Sequence, residues 1–435
     1  MSDHGRRRPG RASHGPSSDV IVIGAGTAGC IVAQELSNAG RTVALFDEGA
    51  GSAVGPLSRL PLTDGPQVRW YSTGDGGLLP RGRGPGGSAL INAGYFLRWH
   101  QADFGGWPWP IETVARAYDL VDGGGAAGWL RASRVADDEL SPIAAAFEHA
   151  ATAAGLPAVA GPWSDVGVNR LRLNRRGGDR WTAWDAIEPL RDVAVHGGAR
   201  VDRIERVGPG WAVATDSAIY SAPTVVLAAG TLGTARILLR SNLVDGPELE
   251  FIEHREQLVR YHVRGAAPPA TALLHTVIHL ADGVELRPYN GGFASYIPGV
   301  EPDAAAVGVA LMRPQSRGRL TLDPDGELRV ALPIPTADDR RRIDAGVRTV
   351  RELLAGTELK GVAEPGSASA DEPLGTSQHA CGTTPLGTAT TDDGELRDHA
   401  GVFVADGSVL PTGGSAGPHA TIAAVAAVIG NRLAG

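Results

Sequence analysis

Residues 19–47 carry the most regular arrangement of apolar runs and breakers in the chain. Val20, Ile21, Val22 and Ile23 form a short, uninterrupted, β-branched run, the pattern of a strand buried on both faces. A glycine turn follows. Ile31-Val32-Ala33-Gln34-Glu35-Leu36 then has helical apolar spacing, and Gly40 stops it. Thr42 to Phe46 reads as the next buried strand, ending at Asp47. Strand, glycine turn, helix and strand in that order predict one βαβ unit of a parallel sheet.

Beyond it the pattern weakens. Residues 49–106 are rich in Gly and Pro, too aperiodic for a packed domain and too rich in motif-like residues for a plain linker. Ile143 to Ala154 has the spacing of an amphipathic helix. Residues 199–207, 211–215 and 218–220 read as short strands. Thr224 to Gly230 repeats the buried-strand pattern, with a helix from Leu232 to Leu239 behind it. Residues 250–335 alternate like strands, for example at 320–322 and 328–332. Residues 340–354 and the Ala-rich segment 422–433 predict helices. No internal repeat is visible.

At 435 residues the chain exceeds the size of one hydrophobic core, which predicts two subdomains. A hydrophobic fraction of 43% and a charged fraction of 20% are those of a globular protein. The net charge of −8 argues against nucleic acid as a partner. Lys360 is the single lysine, the other basic residues being arginine. The two cysteines, Cys30 and Cys381, lie in no CxxC or zinc-like spacing, so neither a disulfide framework nor a structural metal is expected, and a reducing cytoplasm fits. No apolar run reaches the roughly 18 residues of a membrane span. Residues 1–18 are Gly, Ser, Pro and Arg without an apolar core, and are expected to be a disordered tail.

The turn in the first unit is Gly24-Ala-Gly26-Thr-Ala-Gly29. Gly24 permits a tight exit from the strand, Gly26 a close approach to a pyrophosphate, and Gly29 the packing of helix on strand. The helix start then offers free N–H groups to phosphate. Asp47, with Glu48 beside it, stands where a carboxylate binds a ribose hydroxyl. Either acid argues against a 2′-phosphate and hence against NADP. FAD and NAD are not distinguished by this unit.

A second small-residue loop runs Arg81-Gly-Arg-Gly-Pro-Gly86-Gly87-Ser88-Ala-Leu-Ile-Asn92-Ala-Gly-Tyr95, suited to carrying backbone close to a flat ring or a phosphate. Near the C-terminus stand His379-Ala-Cys381-Gly-Thr, Asp406-Gly407-Ser408 and Gly417-Pro-His419-Ala-Thr421-Ile. Taken with residues 19–49, 224–240 and 312–322, these segments resemble, in order and over the whole chain, the glucose-methanol-choline (GMC) flavin oxidoreductases.

That resemblance implies an α/β fold: a Rossmann-like FAD-binding domain with a parallel sheet, interleaved with an α+β substrate domain. It divides the chain into FAD-binding segments at 19–120, 196–245 and 376–435 and substrate segments at 121–195 and 246–375. FAD is expected to be non-covalent, because residues 81–98 lack the histidine to which some members attach it. Gly24, Gly26, Gly29 and Asp47 or Glu48 would hold the ADP half. Arg81 could pair with phosphate, and Gly86, Gly87, Ser88 and Asn92 would line the flavin. Val201 would meet the adenine, Ala229 and Gly230 the ADP moiety, and Asp406 and Gly407 the ribityl-phosphate stretch. The last helix, with Thr421 in its first turn, would point at the pyrimidine edge.

The resemblance also assigns His379 as the base that takes an alcohol's proton while hydride passes to flavin N5, a role suited to an ordinary imidazole pKa near 6.5. The second catalytic position is His or Asn in the family. Here Gly417 takes that place, and His419 stands two residues later. Cys381 and the tryptophans at 107, 109 and 163 read as packing residues. Ile91–Arg98 and Gly417–Ala420 resemble a mycofactocin-associated branch, whose substrate would be reduced mycofactocin and whose electrons would go to a respiratory carrier. Thr390–Arg397 resembles the sterol-oxidase branch. A sterol or small-alcohol oxidase or dehydrogenase of the same family is therefore the alternative, with O2 the other possible acceptor. A third reading is a flavin-binding protein impaired in catalysis, since the residue at 417 is Gly and the substrate region is short for the family. A cytoplasmic location, with peripheral contact at the inner face of the membrane, is the expectation that goes with a respiratory acceptor.

Overall fold

The computed structural model describes residues 18–62, 65–123, 128–187, 192–265 and 270–435. All but the last residue of the expected N-terminal tail lie outside them. The predicted βαβ unit is present as strand Val20–Ile23, helix Thr27–Asn38 and strand Val43–Asp47. These strands belong to a five-stranded sheet ordered Val193–Gly197, Val43–Asp47, Val20–Ile23, Thr224–Leu227, Val402–Val404. Every pairing in it is parallel, with Val22 opposite both Leu45 and Val226. The central strand is buried on both faces, which is why it reads as a continuous rather than an alternating run. The C-terminal helix His419–Ala434 packs across Thr27–Asn38 and Ile111–Asp122.

The second body is a mostly antiparallel eight-stranded sheet. Its middle strands run Arg255–Tyr261, Ala305–Leu311, Val284–Pro288, Thr276–His279 and Gly167–Arg170. Period-two alternation divides its faces. Val259, Leu286, Val307 and Val309 point into an apolar core with Ile343, Val347 and Val350 of helix Ala337–Ala355. Glu256, Leu258, Arg287 and Tyr289 alternate to the opposite face and line a cavity. Apolar alternation therefore reports only one side of this sheet. The other side buries charge.

Two details differ from the sequence reading. Strand Val193–Gly197 belongs to the parallel sheet and spans the expected boundary between residues 195 and 196. Helix Ile111–Asp122 crosses the boundary at 120. Among its described residues the Gly/Pro-rich stretch 49–106 holds one hairpin, Val68–Ser72 with Leu78–Gly82, and its residues from Pro80 to Tyr95 line much of one cavity. Trp99, Phe104, Trp107 and Tyr118 form a buried aromatic cluster beneath the C-terminal helix, consistent with a packing role for Trp107.

Candidate active site

One cavity of about 560 Å³ lies between the carboxyl ends of the parallel strands and the charged face of the antiparallel sheet. Crevices at the carboxyl ends of parallel strands are where open α/β sheets bind ligands. Ile23, Phe46, Asp47, Glu48, Ala228, Asp406 and Gly407 reach it from the strand ends.

Its floor is backbone. Helix Thr27–Asn38 starts at the cavity with Gly26 as its cap and no side chain capping it, so its first N–H groups are free for an anion. The second glycine loop lies directly against this turn: Gly86 N–H donates to Ala25 O at 2.8 Å. Gly87 has φ +56°, and a Cβ there would stand 2.7 Å from Gly26 Cα. Only bare backbone allows the two turns this approach.

Gly24, Gly26, Gly87, Ser88, Asn92, Val201, Ala229, Gly230 and Arg81 all line the cavity, with Asp47, Glu48, Asp406, Gly407, His379 and His419. Gly29, Gly86 and Thr421 do not. Gly29 packs the helix against the Gly24 carbonyl, and Gly86 turns the second loop with φ +103°. Thr421 sits inside the last helix, its Oγ1 2.6 Å from the Tyr118 hydroxyl.

The two adjacent acids separate in role. Asp47 accepts from Ala25 N–H and Gly49 N–H, each at 2.9 Å, and so holds the turn itself. Burial raises its pKa despite these donors. Glu48 lies among Arg200 at 3.6 Å and Arg69 and Arg83 at 4.0 Å. This end of the cavity therefore offers guanidinium groups and a carboxylate side by side, the set that suits phosphate and ribose. Asp406 is buried, accepting from Thr234 Oγ1 at 2.6 Å and Ser408 N–H at 2.9 Å.

At the opposite end stands His379. Its Nδ1 lies 2.9 Å from Nδ1 of His254, and its backbone N–H donates to Glu253 Oε1 at 2.7 Å. Nδ1 is thereby engaged, which leaves Nε2 for the cavity. Burial, then Arg287, His254 and Arg81, hold its pKa well below the ordinary value, so the ring is neutral and able to accept a proton. His254 is fully buried and pushed down to about 3, chiefly by that burial. With both rings neutral, one Nδ1 donates and the other accepts.

The C-terminal helix begins at His419, three residues earlier than its apolar spacing indicates, because Pro418 fixes the cap backbone at φ −78°. His419 therefore belongs to the first helical turn. Its Nε2 lies 3.0 Å from Thr27 Oγ1, and burial lowers its pKa to about 4.

The sequence reading missed His254, Glu253 and the charged face around Arg287. Arg287 Nε donates to Glu285 Oε1 at 2.6 Å, and its Nη1 donates to Glu256 Oε2 at 3.0 Å and Ser377 Oγ at 2.7 Å. The Tyr289 hydroxyl donates to Glu256 Oε1 at 2.7 Å. The Tyr95 hydroxyl donates to Glu285 Oε2 at 2.8 Å. The signal was present as five charged or polar residues, Arg255-Glu-Gln and Glu285-Leu-Arg287, in segments too strand-like to be loops.

A parallel sheet whose carboxyl ends meet two touching glycine turns, facing a half-buried histidine across one cavity, marks the class of nucleotide-cofactor oxidoreductases. Residues 18–250 match the N-terminal sequence profile, and residues 314–426 the C-terminal profile, of the GMC oxidoreductases, and the chain belongs to that family. It is an FAD-dependent oxidoreductase acting on CH–OH donors. It is 30% identical to a GMC-type oxidoreductase encoded in the thcA 5′ region of Rhodococcus erythropolis, over 94% of this chain and 97% of that one. It is 27% identical to a pyridoxine 4-oxidase of Microbacterium luteolum, over 94% and 98%. The fold superposes on pyridoxine 4-oxidase from Mesorbium loti with a TM-score of 0.81 at 22% identity, covering 95% of this chain and 99% of that one. Formate oxidase gives 0.81 at 18%, covering 97% and 98%. No described helix is long and apolar enough to cross a membrane.

Proposed function

We propose that the protein binds FAD non-covalently and oxidises an alcohol bearing an apolar body, with His379 as the base. The glycine cradle fits the cofactor, since the Gly26–Gly87 approach leaves no side chain between helix start and loop. Glu48, Arg69 and Arg200 would hold the ADP end, and Asp406 and Gly407 the linking stretch. When bound, FAD supplies the hydride acceptor. The chain's residues supply the rest.

The observation that carries the reading is His379 itself: neutral, tied at Nδ1 to His254, and open at Nε2 to the cavity. Before it accepts a substrate proton at Nε2, His379 must carry its hydrogen on Nδ1 and donate it to His254. Leu62, Leu258, Leu274, Phe293 and Ile297 also line the cavity and would hold the apolar body of the substrate. His419, bonded to Thr27, ties the start of the last helix to the cradle.

Among alcohols we favour reduced mycofactocin, with electrons passed to a respiratory carrier at the inner face of the membrane. The segments Ile91–Arg98 and Gly417–Ala420 support this choice. Pyridoxine, the substrate in the name of one relative, stands for the small-alcohol alternative. An impaired, binding-only protein is favoured by one observation, the absence of a side chain at Gly417.

The test is an anaerobic absorbance titration of the FAD-loaded protein with reduced mycofactocin, pyridoxine, benzyl alcohol and a sterol. Bleaching of the flavin bands by one of them is expected. His379→Ala should slow that bleaching by about 10²- to 10⁴-fold, the range for loss of a general base, with flavin content unchanged. A flavin that no alcohol reduces would establish the binding-only reading.

A further inference from the structure

Position 417 is where the family resemblance places a second catalytic His or Asn, and here it is Gly. The structure shows what occupies the space. A Cβ at Gly417 would stand 2.8 Å from Cε1 and 3.0 Å from Cδ1 of Tyr95, and 3.4 Å from Cε1 of His379. A side chain at 417 would thus project between the Tyr95 ring and the base, and the Tyr95 ring already fills that side. Gly417 is the condition for Tyr95 to lie beside His379. Tyr95 lines the same cavity, and its hydroxyl is 3.4 Å from the Gly417 N–H.

We propose that Tyr95 is the second catalytic residue, and that its hydroxyl donates to the substrate oxygen as His379 takes the proton. The inference rests on the alcohol-oxidation reading above. As the hydroxyl proton passes to His379 Nε2, negative charge develops on the substrate oxygen, and a fixed donor there lowers the barrier.

The surroundings allow the phenol to change partners. In the structure it donates to Glu285 Oε2. That carboxylate does not depend on it: His279 Nε2 lies 2.7 Å from the same oxygen, and Arg287 donates to Oε1 at 2.6 Å. Turning the O–H about its C–O bond toward substrate therefore leaves no buried charge unpaired. The ring stays fixed by Gly417 on one side, so the donor swings on a rigid mount. Burial, then Glu285, raises the phenol's pKa well above its ordinary value, so it keeps its proton. His419 does not compete for the place, since its Nε2 is on Thr27.

The test is Tyr95→Phe, which keeps the ring on Gly417 and removes only the hydroxyl. In the FAD-loaded protein, anaerobic flavin reduction by the best alcohol of the panel should slow by about 100-fold, the usual effect of losing one oxyanion donor. Binding of benzoate, an unreactive anion, followed by perturbation of the flavin spectrum, should weaken by about 10-fold or more. Flavin content and thermal midpoint should match wild type, which separates a lost donor from lost packing. Reduction rates or benzoate affinities equal in the two proteins would overturn the role of Tyr95 while leaving the alcohol reading intact. Wild-type flavin that no alcohol reduces would overturn the alcohol reading, and the role of Tyr95 with it.

Discussion

The two walls of the cavity are built on opposite plans. The side at the ends of the parallel strands is built around backbone, two glycine turns in contact and a helix start, with Glu48 and its arginines at the margin. The side at the antiparallel sheet is side chain: Glu256, Glu285, Arg287, Tyr289 and Tyr95 in one hydrogen-bonded cluster on a sheet face. A wall of backbone tolerates no added atom, whereas a wall of buried charge tolerates no missing partner. The two sides should therefore fail in different ways.

The largest effect expected is on the cradle. Gly87→Val would drive a Cβ to 2.7 Å from Gly26 Cα and strain a φ of +56°. The purified protein should carry essentially no FAD, read as the flavin-to-protein ratio, while its fold persists by circular dichroism. Retained flavin would show that the two turns do not need their contact.

Next is Arg287→Met on the other wall. It leaves Glu256 and Glu285 facing each other without their shared cation, and breaking a buried pair costs about 3–5 kcal/mol. Although burial opposes it, Arg287 and His279 hold Glu285 down to about 2, so the substitution removes the main positive charge that offsets the burial of this carboxylate. Urea unfolding at pH 7 measures the loss. A change under about 1 kcal/mol would mean that the cluster contributes little to stability.

The last effect is graded with pH and is smallest per pH unit. His254 is held from its ordinary 6.5 down to about 3, and His275 down to about 4, both by burial first. The unfolded chain protonates these rings below about pH 6.5 and the folded protein does not. Stability is therefore full above 6.5 and falls as pH drops toward 4, by about 1.4 kcal/mol per pH unit for each ring. Unfolding midpoints from pH 7 to 4.5 should show this decline, and His254→Asn should make it shallower. A slope unchanged by that substitution would remove His254 from the account.

Legibility followed the same division. The βαβ unit could be read because a strand buried on both faces needs an unbroken apolar run, and a phosphate turn needs glycine at fixed spacing. Both are local demands. His379 could be read from its flanking motif. Asp47 and Glu48 could not be told apart, because which carboxylate meets the arginines depends on Arg69 and Arg83 arriving with one hairpin and Arg200 with a distant segment.

The sequence by itself determined the parallel βαβ unit and the two glycine turns, because each is set by residues within a turn or two of one another. Only the tertiary structure decided that His254 is the partner of His379, that charge fills one face of the antiparallel sheet, and that Tyr95 takes the space left by Gly417. Those pairings join residues 125, 31 and 322 positions apart. No periodicity reaches that far; what sets them is the packing of two sheets across one cavity.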